Sequence, residues 1–336
     1  METNGAVHPP ATSRKVLVTG GLGCVGAWTI RLLLDRGDCP SVFDLGEDRH
    51  RLELLLTPDD LASLTFIRGD IGDLAADDAA FDASGATDVI HLAALQIPFC
   101  AADPSLGARV NVVGTVNVFE AAKRHRDRIH RVTYASSDGV YGPADGRQDG
   151  PVPEDAEPHP LSHYGVFKQA NEGTARVYWH QDGLPSTAIR AYVIFGPGRD
   201  QGLTSSPTKA MLAAALGRNY EISYGGRSQL QYVRDVARAF IGAMDASDPG
   251  ARVFNMGGNA VAMTEVVEAI EEAAPDMKGR ISVADRGLPY PEAFAGSIHE
   301  ALHLPAATPL RDAVRETVEA FRRSAAAGKI GEEALG

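Results

Sequence analysis

From residue 15 to residue 194, short apolar runs alternate with longer stretches whose apolar positions recur every three to four residues. The runs at 15–19, 41–45, 64–69, 88–93, 131–135 and 186–194 predict strands, and 27–36, 104–126 and 162–180 predict helices. The strand runs are almost wholly apolar (Val-Leu-Val, Val-Ile-His-Leu), as expected of strands covered on both faces. Strands alternating with helices imply right-handed crossovers and an α/β fold built on a doubly wound parallel sheet. Proline and glycine thicken at 142–160 and 196–207, marking loops. Beyond 196 the pattern turns irregular and predicts a smaller C-terminal substrate lobe. The expected division is a flexible tail at 1–13, a sheet domain at 14–195, a lobe at 196–325 with some return to the sheet, and a second flexible tail at 326–336. There is no internal repeat.

Composition narrows the class. The 336 residues are 44% apolar and 23% charged, ordinary for a soluble globular chain. With 32 basic and 44 acidic residues the formal charge is −12, which disfavours nucleic acid as a partner. No stretch approaches the roughly 20 apolar residues of a membrane span, so no membrane partner is expected. The N-terminal residues lack the basic-then-apolar pattern of a signal peptide. Three scattered cysteines, Cys24, Cys39 and Cys100, form neither a disulfide framework nor a zinc cage, and point to a reducing, cytoplasmic setting.

Glycines fall at 20, 23 and 26, between the first strand and the first helix. That context lets a pyrophosphate approach N–H groups at a helix start. The second strand ends in Asp44, placed to accept both ribose hydroxyls of an adenosine and to repel a 2′-phosphate, which favours NAD over NADP. Arg49 and Arg51 follow and read as a solvated helix face. Asp70, at the end of the third strand, suits either an adenine amine or a plain turn.

Tyr164 and Lys168 are four apart on a predicted helix and share a face. Hydride transfer from an alcohol needs a base for the hydroxyl proton. A free phenol, with pKa near 10, is a poor one. An ammonium about 4 Å away, at an effective dielectric of about 20, would contribute roughly 4 kcal/mol toward ionising it. Ser137, at the carboxyl end of a strand, is placed to hydrogen-bond the reacting oxygen.

These segments together resemble the extended short-chain dehydrogenase/reductase family, also called the NAD-dependent epimerase/dehydratase family. The resemblance spans roughly 14–325. It rests on Thr-Gly-Gly-Leu-Gly-Cys-Val-Gly (19–26), His-Leu-Ala-Ala (91–94), Asn-Val-Val-Gly-Thr (111–115), Ser-Ser-Asp-Gly-Val-Tyr-Gly (136–142), Tyr-Gly-Val-Phe-Lys (164–168), the run from Arg190 to Pro197, and Tyr232 to Ala237. It implies a Rossmann domain in which Gly20, Gly23, Cys24, Val25 and Gly26 line the pyrophosphate. Asp44 would hold the ribose, and Asp70 and Ile71 the adenine. Leu92, Ala93, Ala94 and Asn111 would flank the cofactor, with Tyr192 near the nicotinamide. Tyr164 would be the acid/base, Lys168 would hold the nicotinamide ribose, and Ser137 would orient the substrate. It also implies a homodimer packed through helices near 104–126 and 162–180.

Several positions depart from the family. Many nucleotide-sugar members carry Asn where this chain has Val193, and Arg where it has Ser228; both help to grip a diphosphate. Asp138 matches the acid of the dehydratases' Asp-Glu pair, but Gly139 replaces the glutamate, so a complete dehydratase is not expected. The expected activity is NAD-dependent oxidation or reduction at a secondary alcohol of a small carbohydrate-like substrate. A sugar or nucleotide-sugar epimerase with retained NAD is the alternative, and a non-catalytic NAD-binding protein is the third reading. Gln96, Phe99, His163, Gly198 to Gln201, Arg227, Gln229 and Gln231 are the candidate substrate contacts.

Overall fold

The computed structural model describes residues 13–143 and 150–335. Most of the expected N-terminal tail and part of the 142–160 loop lie outside the described residues. Strands β1 (Lys15–Thr19), β2 (Cys39–Asp44), β3 (Thr65–Arg68), β4 (Asp88–His91), β5 (Val132–Ser137) and β6 (Ser186–Ala191) follow in chain order. The later part of the chain adds β7 (Val193–Phe195), β8 (Tyr220–Ile222), β9 (Arg227–Tyr232), β10 (Ala251–Asn255), β11 (Ala260–Ala262) and β12 (Ile281–Val283). The central sheet is parallel throughout, in the order β10-β6-β5-β4-β1-β2-β3.

Both faces are covered: β1 and β4 bury Val16, Leu17, Val18, Val89 and Ile90, while β5 and β6 also bury polar residues such as Thr133, Ser136, Ser186 and Thr187. Helices Cys24–Asp35 and Val233–Asp245 bury Ile30, Leu33, Val236 and Phe240 on one face. Helices Leu74–Ser84, Gly114–Arg124 and His163–Asp182 bury Phe81, Val118, Phe119 and Ala175 on the other. Strand order reverses at β1, with β2 on one side and β4 on the other. A crevice therefore opens beyond the carboxyl ends of β1 and β4, where ligands bind in open α/β sheets.

Three local expectations are corrected. The run at 186–194 is two strands, not one. At Tyr192 the backbone N–H donates to the Gln231 side chain at 2.9 Å, so β7 leaves the main sheet and pairs with β9. The helix expected at 104–126 contains a π-turn at Arg109–Val113. The Asn111 carbonyl in that turn is shared by the Thr115 hydroxyl at 2.7 Å and the Asn171 amide at 2.9 Å. The C-terminal segment expected to be loose folds back. Ile330, Ala334 and Leu335 pack on the lobe core, and Lys329 donates to the Glu53 carbonyl at 2.7 Å.

Candidate active site

The glycine loop closes the crevice floor. Helix Cys24–Asp35 begins at Gly23 with no capping side chain and no acidic residue in its first turn. Its first N–H groups, at the positive end of the helix dipole, are left to a ligand. A Cβ at position 26 would clash with the Gly20 carbonyl, so the helix start can sit this close to the loop only as glycine. A cavity of about 510 Å³ runs from this loop past Asp44, Asp70, Ile71, Leu92, Ala93 and Ala94. Asp44 accepts from the backbone N–H of Leu22 at 3.0 Å and of Gly46 at 3.1 Å, which fixes its carboxylate at the wall. Asp70 pairs with Arg109 at 2.9 Å. An uncapped helix start, a cradle a Cβ would fill and an acid at the end of β2 suit the pyrophosphate and adenosine ribose of a dinucleotide.

A second cavity, of about 270 Å³, continues from Gly20, Gly23, Cys24, Val25 and Gly26 to Ser137, Tyr164, Lys168 and Tyr192. Ser162 caps the helix that carries the tyrosine and lysine, accepting from the Gly165 N–H at 3.1 Å. Tyr164 is half-buried and Lys168 is 3% exposed. The Lys168 ammonium donates to the Ala135 carbonyl at 2.7 Å and lies 5.6 Å from the Tyr164 ring centre. Burial lowers the lysine pKa to about 8. The same burial pushes the Tyr164 phenol up, against the downward pull of a hydrogen bond with Ser137 and the charge of Arg199. Burial is the largest influence on this phenol, so the protein alone holds it above its free value.

Two expected residues stand apart from the cleft chemistry. Asn111 is 1% exposed and off the cleft wall. Its side chain accepts from the Leu95 N–H at 2.7 Å and donates to the Leu95 carbonyl at 2.9 Å. It holds the loop after β4 in place from behind. Asp138 is buried with neither carboxyl oxygen hydrogen-bonded, and burial raises its pKa well above the carboxylate range. Gly139, by contrast, sits between Ser137 and Tyr164: a Cβ there would lie 3.3 Å from the serine hydroxyl and 3.7 Å from the tyrosine ring. The dehydratase glutamate would point at this pair, and among the described residues no acid lines this cavity in its place.

Buried neighbours brace the site. His91 bridges Thr19 at 2.7 Å and Thr115 at 3.1 Å, and burial drops its pKa to about 3, so it is neutral. Arg190 pairs with Glu172, one turn beyond Lys168, through bonds of 2.8 and 2.7 Å. The Cys24 thiol, pushed up to about 12 by burial, is an inert wall atom. On the substrate side, Val193 is buried in the wall. Ser228 is buried too, and Arg227 is half-exposed, turned toward Glu265 and Glu292 at 3.7 Å each. Gln229 and Gln231 spend side-chain bonds on the Gly258 carbonyl and the Tyr192 N–H. His163 is exposed and lies outside both cavities.

The sequence reading missed four contributors. Leu203, Thr204 and Tyr290 line the inner cleft, and Arg51 is 15% exposed instead of solvated, bound to Asp200. None carries a local motif; Leu203, Thr204 and Tyr290 come from loops and Arg51 from the short helix His50–Leu55, each brought to the cleft by tertiary folding. Arg49 is stacked on Phe66 with its guanidinium 3.6 Å from the ring centre.

Comparison with known proteins agrees with this layout. UDP-glucuronate 4-epimerase 2 of Arabidopsis thaliana is 28% identical over 283 residues, 76% of this chain; the chain spans 63% of that protein's length. The solved complex of MoeE5 with UDP-glucose and NAD is 29% identical with a TM-score of 0.74, covering 93% of this chain and 99% of that one. UDP-glucose 4-epimerase from Brucella ovis, solved with NAD, is 26% identical with a TM-score of 0.74, covering 92% and 99%. The family model described as "NAD dependent epimerase/dehydratase family" matches residues 16–257, most of the sheet domain and the first part of the lobe. With that match over more than half its length, the chain belongs to the NAD-dependent epimerase/dehydratase family and is an NAD-dependent enzyme of that kind.

Proposed function

We propose that this protein is an NAD-dependent sugar epimerase that inverts a hydroxyl-bearing carbon, with Tyr164, Ser137 and Lys168 as its working residues. The observation that carries the reading is the convergence of these three side chains with the glycine loop on one cleft. NAD, held by the glycine loop, Asp44 and Lys168, would supply the hydride acceptor and donor that inversion of the carbon needs. Tyr164 receives the hydroxyl proton and later gives it back. Ser137 hydrogen-bonds the reacting oxygen as alcohol and as ketone. Lys168 holds the nicotinamide ribose, and its cation, together with that of the oxidised cofactor, offsets the desolvation that raises the phenol. Asp44 binds the adenosine ribose, Asp70 and Ile71 flank the adenine, and Tyr192 borders the nicotinamide. Asn111 contributes by positioning Leu95.

The relatives' activities on UDP-sugars support a sugar substrate, and a nucleotide-linked sugar is the first to try. Val193 and Ser228, which offer no charge to a diphosphate, favour a second reading: a free sugar or sugar acid processed by a dehydrogenase. Mass analysis of the denatured protein, with a panel of free sugars, sugar acids and sugar nucleotides, separates them. A retained dinucleotide and an inverted product without net redox support the epimerase; accumulation of NADH with a free polyol overturns it.

A homodimer is part of the proposal. Leu106, Val113, Val166 and Val177 are exposed on helical segments within 104–124 and 163–182, an apolar stripe a second copy would cover. No helix among the described residues is long and apolar enough to cross a membrane. The three cysteines are free thiols, which supports a cytoplasmic setting.

A further inference from the structure

The segment 196–203, which follows β7, lines the cavity that holds Asp44 through Gly198, Arg199, Asp200 and Gln201, and touches both of its banks. On the bank formed by the glycine loop and the residues after β2, Arg51 grips Asp200 with two nitrogens, Nε at 3.0 Å and a terminal nitrogen at 2.7 Å. The same guanidinium donates to the Gly198 carbonyl at 3.2 Å and to the Leu22 carbonyl at 3.1 Å, tying strap, lock and glycine loop together. His50 Nε2 meets the same Asp200 oxygen, Oδ2, that Arg51 Nε bonds, at 2.8 Å, and its Nδ1 lies 2.8 Å from Asp48. Trp28 donates to the Pro197 carbonyl at 2.9 Å. On the opposite bank Gly202 is pressed against Gln96, so closely that a Cβ at 202 would clash with the Gln96 side-chain oxygen. Between the banks, Gly198, Arg199, Asp200 and Gln201 share one cavity with Asp44, Gly20 and Ala93.

We propose that 196–203 is a strap over the bound dinucleotide, and that Asp200, Arg51 and His50 are positioning residues that latch it and slow cofactor exchange. This rests on the reading of the cavity as an NAD site and extends it: a latched cofactor stays for both half-reactions, as inversion without net redox requires. The lock is suited to the task. A forked guanidinium-carboxylate pair is among the stronger side-chain contacts, and Arg51 is largely shielded from water. The segment that must move is short, and its hinge ends are glycines at 196 and 202, both with positive φ.

The test is exchange of cofactor on the intact protein. Purified protein is mixed with excess isotopically labelled NAD, and the unlabelled NAD still bound is followed by mass spectrometry after rapid desalting and denaturation. Asp200→Asn removes the charge without changing shape; Arg51→Lys keeps the charge but loses the fork, and serves if the first variant folds poorly. Thermal melting establishes that the proteins compared are folded. Exchange at least about tenfold faster than wild type in a folded variant supports the latch. Exchange within twofold of wild type, in variants that still bind NAD, overturns it and leaves the NAD reading intact. Wild-type protein that neither carries NAD after purification nor takes it up when mixed with excess overturns both.

Discussion

Raising the pH acts on the cofactor site through Lys168. Its ammonium is buried, donates to the Ala135 carbonyl at 2.7 Å, and has a pKa lowered by burial from 10.5 to about 8. At pH 7 about 90% of the free protein carries this cation, and at pH 9 only about 9%. If the charged form is the one that takes NAD, the apparent Kd is the intrinsic value divided by the charged fraction, so affinity falls about tenfold between these pH values, near 1.4 kcal/mol. The assay is calorimetric titration of cofactor-stripped protein with NAD at pH 7, 8 and 9 and constant ionic strength. Lys168→Met, which keeps much of the side-chain volume without the charge, should bind more weakly at pH 7 and show no such slope. Stability moves the opposite way for this group. Its folded pKa lies below its unfolded one, so between about 8 and 10.5 the unfolded chain holds more protons, and stability from this residue rises with pH. Weaker binding at pH 9 is therefore not Lys168 loosening the fold. A wild-type Kd constant within twofold from pH 7 to 9, or the same slope in Lys168→Met, refutes the reasoning.

Three further outcomes are expected. Tyr164→Phe lowers turnover by about 10² to 10⁴ while the Kd for NAD stays within about threefold, measured by steady-state kinetics and titration; turnover near wild type removes the tyrosine from its role. Asp44→Ala weakens NAD by about 1–3 kcal/mol and NADP by less, read as the ratio of the two Kd values; an unchanged ratio contradicts the ribose assignment. Asp77 is buried in helix Leu74–Ser84 with neither oxygen hydrogen-bonded, and burial raises its pKa from 3.8 to about 8. Across that window the folded chain keeps a proton the unfolded chain has lost, so stability falls as pH rises, and the full cost applies above about 8. Asp77→Asn should raise Tm by several degrees at pH 8, with the gap narrowing toward pH 4; a gap independent of pH would show that the carboxyl is not the cause.

The central sheet was legible because β1 and β4 carry compact Val-Leu-Val and Val-Ile runs and the other strands alternate regularly with helices, and the glycine and Tyr-x-x-x-Lys segments keep their chemistry within a few consecutive residues. What escaped were contacts made between distant parts of the chain. Arg51 looked like any charge on a short helix until Asp200, 149 residues away, was brought beside it. The break at Tyr192 depends on Gln231, and the π-turn on Asn171; neither partner adjoins its site in sequence. The phenol misled for a related reason. Four-residue spacing puts Lys168 on the right face, but the cost of burial is set by walls contributed from β5, the glycine loop and the lobe.

The π-turn at Arg109–Val113 is a point where descendants of this chain can change length by one residue. A turn holding one surplus residue can shed it and become ordinary α geometry with the segments on either side still in phase, so the helix faces beyond it are kept. The exception is Asn111: without its side chain Leu95 loses both of its bonds to it, and the cleft-lining loop from Leu92 to Gln96 loses its rear support. Loss of another residue of the turn should be tolerated, whereas loss of Asn111 should be purged. Related chains would then be expected to include some with one residue fewer between Leu95 and Thr115, a plain α-helix there, and an amide still facing the loop.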